Sequence, residues 1–478
     1  MEPEKLFMQQ RFIQHTEGVE GRRGRRLILF FAGWGMDASV FAQLSKPGYD
    51  LLVVYDYRTL DFDMETLDGY DEICVLAWSL GVWHADRFIS DNPHLPFTRT
   101  VAVNGTLVPI DADFGIPPRV YDLTSALPDN KSLLKFYRRI CGGQEAMASL
   151  MPCMPQRQLD ELRDELLAVR SRIPADKTID TANWDEIYLS DADLIFPFEN
   201  MKSAWRTASR RVRIMRDAHH AIDFSRFIQS AFVDKELVGD RFASASVTYE
   251  REAEVQCKVA AILAGAAADG MPEISRNQTV LEIGSGVGVL TKLYMPMFAD
   301  SRITLWDLAP VAVSARNGNE VNVVSCDAET GLRALPDASV DTIFSSSTLQ
   351  WFNSPRRAVR EIVRALTPGG RAFISCYIDG TIPELSTLAR GSAMHYPQFH
   401  GLLESIDGVE CDTFVRRFEL LFGSAAEALS HMRATGVNSL SRKAMSIADT
   451  RRLMQSLTVD GKAVLTFNTQ FIIIKKNG

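Results

Sequence analysis

Short, uninterrupted apolar runs rather than alternating ones mark both halves of this chain. In the first half they lie at Arg26–Phe31, Leu51–Tyr55, Ile73–Ala77 and Thr100–Asn104, and the pattern resumes at Ile187–Leu189 and Val212–Met215. Runs of this length and kind predict strands buried on both faces of a parallel sheet. Residues from about 107 to 180 interrupt them with proline clusters and a helical stretch over Gln158–Arg172, which predicts a helical insertion. Past about residue 230 a second series begins with a helical segment, Tyr249–Ala268. Strand-like runs follow at Thr279–Ile283, Ile303–Trp306, Val321–Val324, Val340–Phe344 and Arg371–Ser375, with Ala463–Phe467 and Gln470–Lys475 as a final strand pair. The expectation is two α/β domains, each a doubly wound sheet, meeting between Phe224 and Gly239.

Composition narrows the class. The chain has 478 residues, 46% of them hydrophobic and 23% charged, as in an ordinary globular enzyme. Its 52 Lys+Arg against 60 Asp+Glu leave a net charge of −8, without the basic excess that nucleic-acid binding demands. No apolar run approaches the roughly 18 residues of a membrane helix, and the Met-Glu-Pro-Glu start lacks a secretory pattern. Seven scattered cysteines form no CxxC pair and no Cys/His cluster, so no metal and a reducing, cytoplasmic setting are expected.

The first half carries the elements of a serine nucleophile. Ala77-Trp-Ser-Leu-Gly81 follows a strand and precedes a helix at Val82–Ser90. Small residues either side of a serine at such a turn lift the hydroxyl clear of the sheet. An orienting carboxylate is expected after the Ile187 strand, at Asp193 in preference to Asp191. A general base is expected after the next strand, at His219 in preference to His220. Oxyanion donors fall on the backbone of Leu80 and of Trp34, in the Gly33-Trp-Gly35 loop. Arg206, Arg210, Arg211, Arg213 and Arg216 make a basic cluster in an acidic chain, with Arg211 and Arg213 on one strand face, as a docking patch for an acidic carrier protein.

The second half carries a nucleoside site. Val280-Leu-Glu-Ile-Gly-Ser-Gly-Val-Gly288 runs from a strand into a glycine turn at Gly284, Gly286 and Gly288. Glu282 suits the ammonium of a methionine better than a pyrophosphate, which argues for S-adenosylmethionine over NAD. Asp307, 25 residues after Glu282, suits the ribose hydroxyls, and Asp327-Ala328 the adenine. Methyl transfer needs the acceptor positioned rather than a strong base, and a carboxylate acceptor is already ionised at neutral pH.

Two resemblances sharpen this reading. Phe31-Ala-Gly-Trp-Gly-Met-Asp37, the Trp-Ser-Leu-Gly elbow and Asp193-Leu-Ile-Phe-Pro197 resemble the pimeloyl-carrier-protein methyl ester esterases, nearer the short BioG type than the longer BioH type, over residues 8–228. That resemblance implies an α/β-hydrolase fold with a helical lid, in which Phe136, Arg138 and Arg139 face the carrier-borne substrate. Ser345-Ser-Ser-Thr-Leu-Gln-Trp-Phe352, Leu366-Thr-Pro-Gly-Gly370 and Arg241–Tyr249 resemble the malonyl-carrier-protein O-methyltransferases, the BioC type, over residues 230–478. It implies a Rossmann-like class I methyltransferase, with Tyr249, Gln256, Gln350 and Trp351 on the acceptor side and the acceptor carboxylate meeting an arginine that the motifs do not single out. Together they imply a bifunctional biotin-synthesis enzyme working on acyl carrier protein, without nucleic acid or membrane. A methyltransferase for another small acid fused to an unrelated esterase, or to an inactive carrier-binding scaffold, stays open.

Overall fold

The computed structural model describes residues 8–15, 25–148, 150–173, 179–271, 273–385, 396, 399, 402, 406–435, 447–459 and 462–478. The chain divides into two compact units, Met1–Ile228 and Gln229–Gly478.

The first unit holds β1 (Gln9–Gln14), β2 (Arg26–Phe31), β3 (Asp50–Tyr55), β4 (Glu72–Trp78), β5 (Phe97–Val103), β6 (Glu186–Ser190) and β7 (Val212–Met215). They form one sheet in the order β1-β3-β2-β4-β5-β6-β7, parallel except that β1 runs antiparallel to β3. Every residue of β2 and β4 is buried, which is why their apolar runs are continuous. Strand β1 is the exception to the pattern reading. Its sequence, QQRFIQ, is mostly polar because it lies on the sheet edge with one face to solvent. Between β5 and β6 the chain builds helices Pro118–Ser125, Asn130–Cys141 and Leu159–Arg172.

The second unit holds β8 (Ser275–Arg276), β9 (Thr279–Ile283), β10 (Phe298–Ala299), β11 (Arg302–Asp307), β12 (Glu320–Ser325), β13 (Val340–Ser346), β14 (Leu366–Tyr377), β15 (Val409–Phe422), β16 (Thr458–Val459) and β17 (Lys462–Lys476). The main sheet runs β12-β11-β9-β13-β14-β17-β15, with β16 on β17. Its first five strands are parallel, and β17 is antiparallel to both its neighbours. Successive residues alternate between two core layers: Val280, Phe344 and Phe373 face one, Leu281, Ile343 and Ile374 the other. Helix Glu254–Gly270 covers the first layer through Val259 and Leu263, and helix Pro355–Ala365 the second through Val359 and Ile362. Each such apolar side chain contributes about 1.5–3 kcal/mol on burial.

Two elements differ from expectation. The helix expected over Tyr249–Ala268 is two helices, Lys235–Glu252 and Glu254–Gly270, broken at Ala253 (ψ 52°). The break lets Tyr249 and Gln256, on different helices, line one cleft. The expected terminal strand pair is one continuous strand, β17, whose hairpin partner is β15. Asn468 and Thr469 mimic a turn in sequence but sit within the ladder, opposite Arg417 and Arg416. No helix among the described residues is long and apolar enough to cross a membrane.

Candidate active sites

In the first unit Ser79 caps β4 at a backbone φ of 61°, a left-handed value that costs about 1–3 kcal/mol and persists only when neighbours over-determine it. Here they do. A Cβ at Gly81 would come 2.3 Å from the Phe31 carbonyl oxygen, and one at Gly105 would come 2.2 Å from that of Ser79. The flanking residues are small because backbone fills the space. Ser79 N–H donates to the Val103 carbonyl at 3.0 Å, fixing the turn to the adjacent strand.

The Ser79 hydroxyl lies 2.9 Å from Nε2 of His220, and Nδ1 of His220 lies 2.7 Å from Oδ2 of Asp193. The other Asp193 oxygen accepts the amides of Ile195 (2.7 Å) and Phe196 (3.0 Å), so the carboxylate cannot rotate away. With Nδ1–H donated to Asp193, Nε2 is the free acceptor for the serine proton. All three side chains are buried. The arrangement can deprotonate the serine for attack on a carbonyl and return the proton to a leaving alcohol.

The expected base, His219, is not there. Its Nδ1 lies 3.2 Å from the Ala192 carbonyl, and its ring covers Gly142, where a Cβ would meet it at 2.1 Å. Asp217 (φ 54°) turns the chain so that only the second histidine points inward, and the Trp78 indole and Asn104 amide hold the His220 carbonyl at 2.8 and 2.9 Å. Asp191 instead accepts the Asp217 amide and pairs with Arg216. Sequence reasoning missed Asn104, which holds the His220 and Ser190 backbone from a φ of 46°. Its signal was an Asn-Gly pair ending a buried strand.

A cavity of about 520 Å³ opens on Ser79, lined by Trp34, Leu80, Phe136, Arg139 and His220 among others. Trp34 donates its indole N–H to Leu162 of the insertion at 2.9 Å and packs edge-on against Phe136. Arg138 is exposed and does not line the cavity. The basic cluster is not a free patch either: Arg211 donates to Thr181 and Trp184, and Arg213 pairs with Glu186, because both sit where β7 meets the preceding strand. Arg206 is exposed.

In the second unit a cleft of about 1060 Å³ lies over the carboxyl ends of β9, β11 and β13 and contains Glu282, Gly284, Gly286, Asp307, Asp327 and Ala328. Gly284, Gly286 and Gly288 all have positive φ (76°, 50° and 79°). A Cβ at Gly284 would strike Thr348 Oγ1 at 2.1 Å, while one at Gly286 would meet nothing within 4 Å, so the turn opens on the cleft. Asp307 accepts the amides of Gly286 (2.9 Å) and Ala309 (2.8 Å).

Glu282 is buried; Thr291 (2.5 Å) and Tyr294 (2.9 Å) both donate to its Oε2. Burial pushes its pKa up to about 7, against those two hydrogen bonds. Asp327 is held by Lys235 Nζ at 2.9 Å from both oxygens; the same ammonium reaches Glu329 at 2.5 Å. Lys235 is a cleft residue that sequence reasoning missed, since it lies far from the cofactor motifs on the first helix of the unit. Tyr249, Gln256 and Trp351 line the cleft too, while Gln350 faces an adjoining pocket. The buried Ser285 hydroxyl, without a partner in the glycine turn, and the carboxylates nearby suit a ligand with both donors and a positive charge. Among the described residues no group of three or more His, Cys, Asp or Glu could hold a metal ion.

Residues 14–232 match the family described as pimeloyl-ACP methyl esterase BioG, and residues 281–374 match a methyltransferase domain. A malonyl-[acyl-carrier protein] O-methyltransferase of Bacteroides fragilis is 31% identical over 463 residues, 95% of this chain and 93% of that protein. The chain belongs to this family. Among other relatives of this family member, the biotin biosynthesis bifunctional protein BioHC of Cellvibrio japonicus is 28% identical, over 53% of each chain. The crystal structure of BioG from Haemophilus influenzae is 34% identical, over 46% of this chain and 96% of that one, with a TM-score of 0.39. The two family matches fall one in each half of the chain.

Proposed function

We propose that this is a bifunctional enzyme of biotin synthesis. The second unit, residues 230–478, is a class I methyltransferase that uses S-adenosylmethionine to methylate the free carboxylate of malonyl carrier protein. The first, residues 8–228, is an α/β-hydrolase, with residues 107–180 as its lid, that cleaves the methyl ester of pimeloyl carrier protein. The observation that carries the hydrolase half is the Ser79–His220–Asp193 chain at 2.9 and 2.7 Å beneath a cavity.

Ser79 is the nucleophile and His220 the base and acid. Leu80 and Trp34 supply the oxyanion amides, and Phe136 and Arg139 form the acyl path; their place in the cavity lining supports these roles. In the other half Glu282 receives the cofactor's ammonium, Asp307 the ribose and Asp327-Ala328 the adenine, while the glycine turn admits the ligand backbone-close. Bound there, S-adenosylmethionine supplies an electrophilic methyl group. Tyr249, Gln256 and Trp351 then exclude water and orient the acceptor. The methyl ester cancels a charge that is costly to bury in chain-elongating enzymes, and its hydrolysis restores it.

Complementation of two biotin auxotrophs, one lacking each activity, tests the reading. Growth of both is expected. Growth of neither would sink it, and growth of one alone would leave only that half standing.

A further inference from the structure

Beside the cofactor cleft lies a second pocket of about 330 Å³, sharing Phe242, Tyr249, Gln256, Ser347 and Trp351 with it. Of the buried polar atoms in these walls, Trp351 Nε1 and Gln256 Oε1 have no hydrogen-bond partner, and the Tyr377 and Ser347 hydroxyls have only each other. Each unsatisfied atom costs about 1–3 kcal/mol, and their gathering on one pocket wall marks a ligand site. Trp351, Tyr377 and Gln256 are each more than nine-tenths buried. Ser347 is held at a strained φ of 53°, with its amide tied to the Ser375 carbonyl. The remaining walls are Gln350 and the aromatic rings of Tyr396 and Phe467. Among the described residues lining this pocket there is no Lys, Arg or His. Lys235, on the cleft's far wall, is engaged by Asp327 and Glu329.

We propose that this pocket is the acceptor subsite, in which Tyr377 OH, Trp351 Nε1 and Ser347 Oγ hold the free carboxylate of a short dicarboxylic thioester, with no side-chain cation among its described lining. The proposal rests on the methyltransferase reading above and puts neutral donors where an arginine was expected. Burying a carboxylate without a counter-ion is prohibitive. Here the counter-charge is the sulfonium of the bound cofactor. A carboxylate oxygen donates an electron pair to the methyl carbon, the carbon–sulfur bond breaks, and its pair stays on sulfur. Both charges vanish and no proton moves. An arginine would stabilise the charged ground state more than the neutralising transition state, and so would slow the step. Neutral donors orient the oxygen while leaving it nucleophilic. The ester product has lost the charge that held it and leaves.

Calorimetry on the full chain tests this with malonyl-pantetheine as ligand, in the presence of either S-adenosylhomocysteine, whose sulfur is neutral, or an analogue with an ammonium at that position. Acceptor binding is expected to be about tenfold or more tighter with the charged analogue, because no cation of the described lining replaces it. Tyr377→Phe, which keeps the ring and lies outside the cofactor cleft, should weaken acceptor binding about tenfold while leaving binding of both analogues unchanged, and Trp351→Phe, which removes the indole N–H, should weaken acceptor binding by a similar factor. Equal acceptor affinity with the two analogues, or both variants within twofold of wild type, would overturn the proposal. If the wild-type chain methylates malonyl thioesters and the analogue charge has no effect, only the subsite falls. If it methylates none, the functional reading falls with it.

Discussion

The two centres of this chain treat their polar atoms in opposite ways. In the Ser79–His220–Asp193 chain each one is spoken for: Asp193 accepts two amides and an imidazole, and His220 spans from Asp193 to the serine. In the second unit, Ser285, Trp351 and Gln256 keep a buried polar atom without a partner, and the Ser347 and Tyr377 hydroxyls have only each other. The difference follows from where the reagents come from. A hydrolase nucleophile is part of the protein, so its geometry is held by the protein's own hydrogen bonds. In methyl transfer both reacting groups arrive from outside, so the protein keeps its donors open for them.

The contrast breaks most sharply at Ser79. Ser79→Ala should cut ester hydrolysis by roughly 10⁴-fold or more while methyl transfer is unchanged, read on the methyl ester and on labelled cofactor. Hydrolysis that survives would remove Ser79 as nucleophile. His220→Gln should cost nearly as much, roughly 10³–10⁴-fold, whereas His219→Gln should stay within about threefold. The reverse order would restore the base that sequence spacing favours.

Glu282→Gln probes the open centre, with an expected loss of cofactor affinity of about 10–100-fold. In the wild type, affinity should fall as pH drops through about 7, where the carboxyl takes up a proton. Stability runs the other way. The folded pKa is raised from 4.5 to about 7, so between those values the native state holds a proton that the unfolded chain has released. Without ligand the second unit should therefore lose stability as pH rises through that window, and Glu282→Gln should flatten the slope. An unchanged melting profile would show that burial does not strain this group.

Smaller effects sharpen the comparison within the first unit. Asn104→Ala should lower kcat for hydrolysis about tenfold with KM little changed, because it releases the backbone that carries His220. Arg139→Gln should raise KM for a carrier-borne ester about threefold and Arg138→Gln should not, since only the first lines the cavity. Equal responses would return both to the solvated surface.

The buried strands were legible because a strand covered on both faces must be apolar throughout. Strands β1 and β15 escaped for the complementary reason: at a sheet edge their residues are free to be polar. The glycines at 284, 286 and 288 and the small positions around Ser79 were legible because backbone crowding or positive φ leaves few residues that fit.

What sequence alone determined here is the chemistry that local rules constrain: the two α/β halves, the serine at a strained turn, the acid at 193 and the glycine turn behind Glu282. What only tertiary structure decided is choice among equals. Adjacent histidines have the same chemistry, and a left-handed turn at Asp217 selects the second. Lys235 reaches Asp327 across 92 residues of sequence. The hydroxyls of Ser347 and Tyr377 meet only because β13 and β14 pair, since hydrogen-bond satisfaction is a property of packed surroundings.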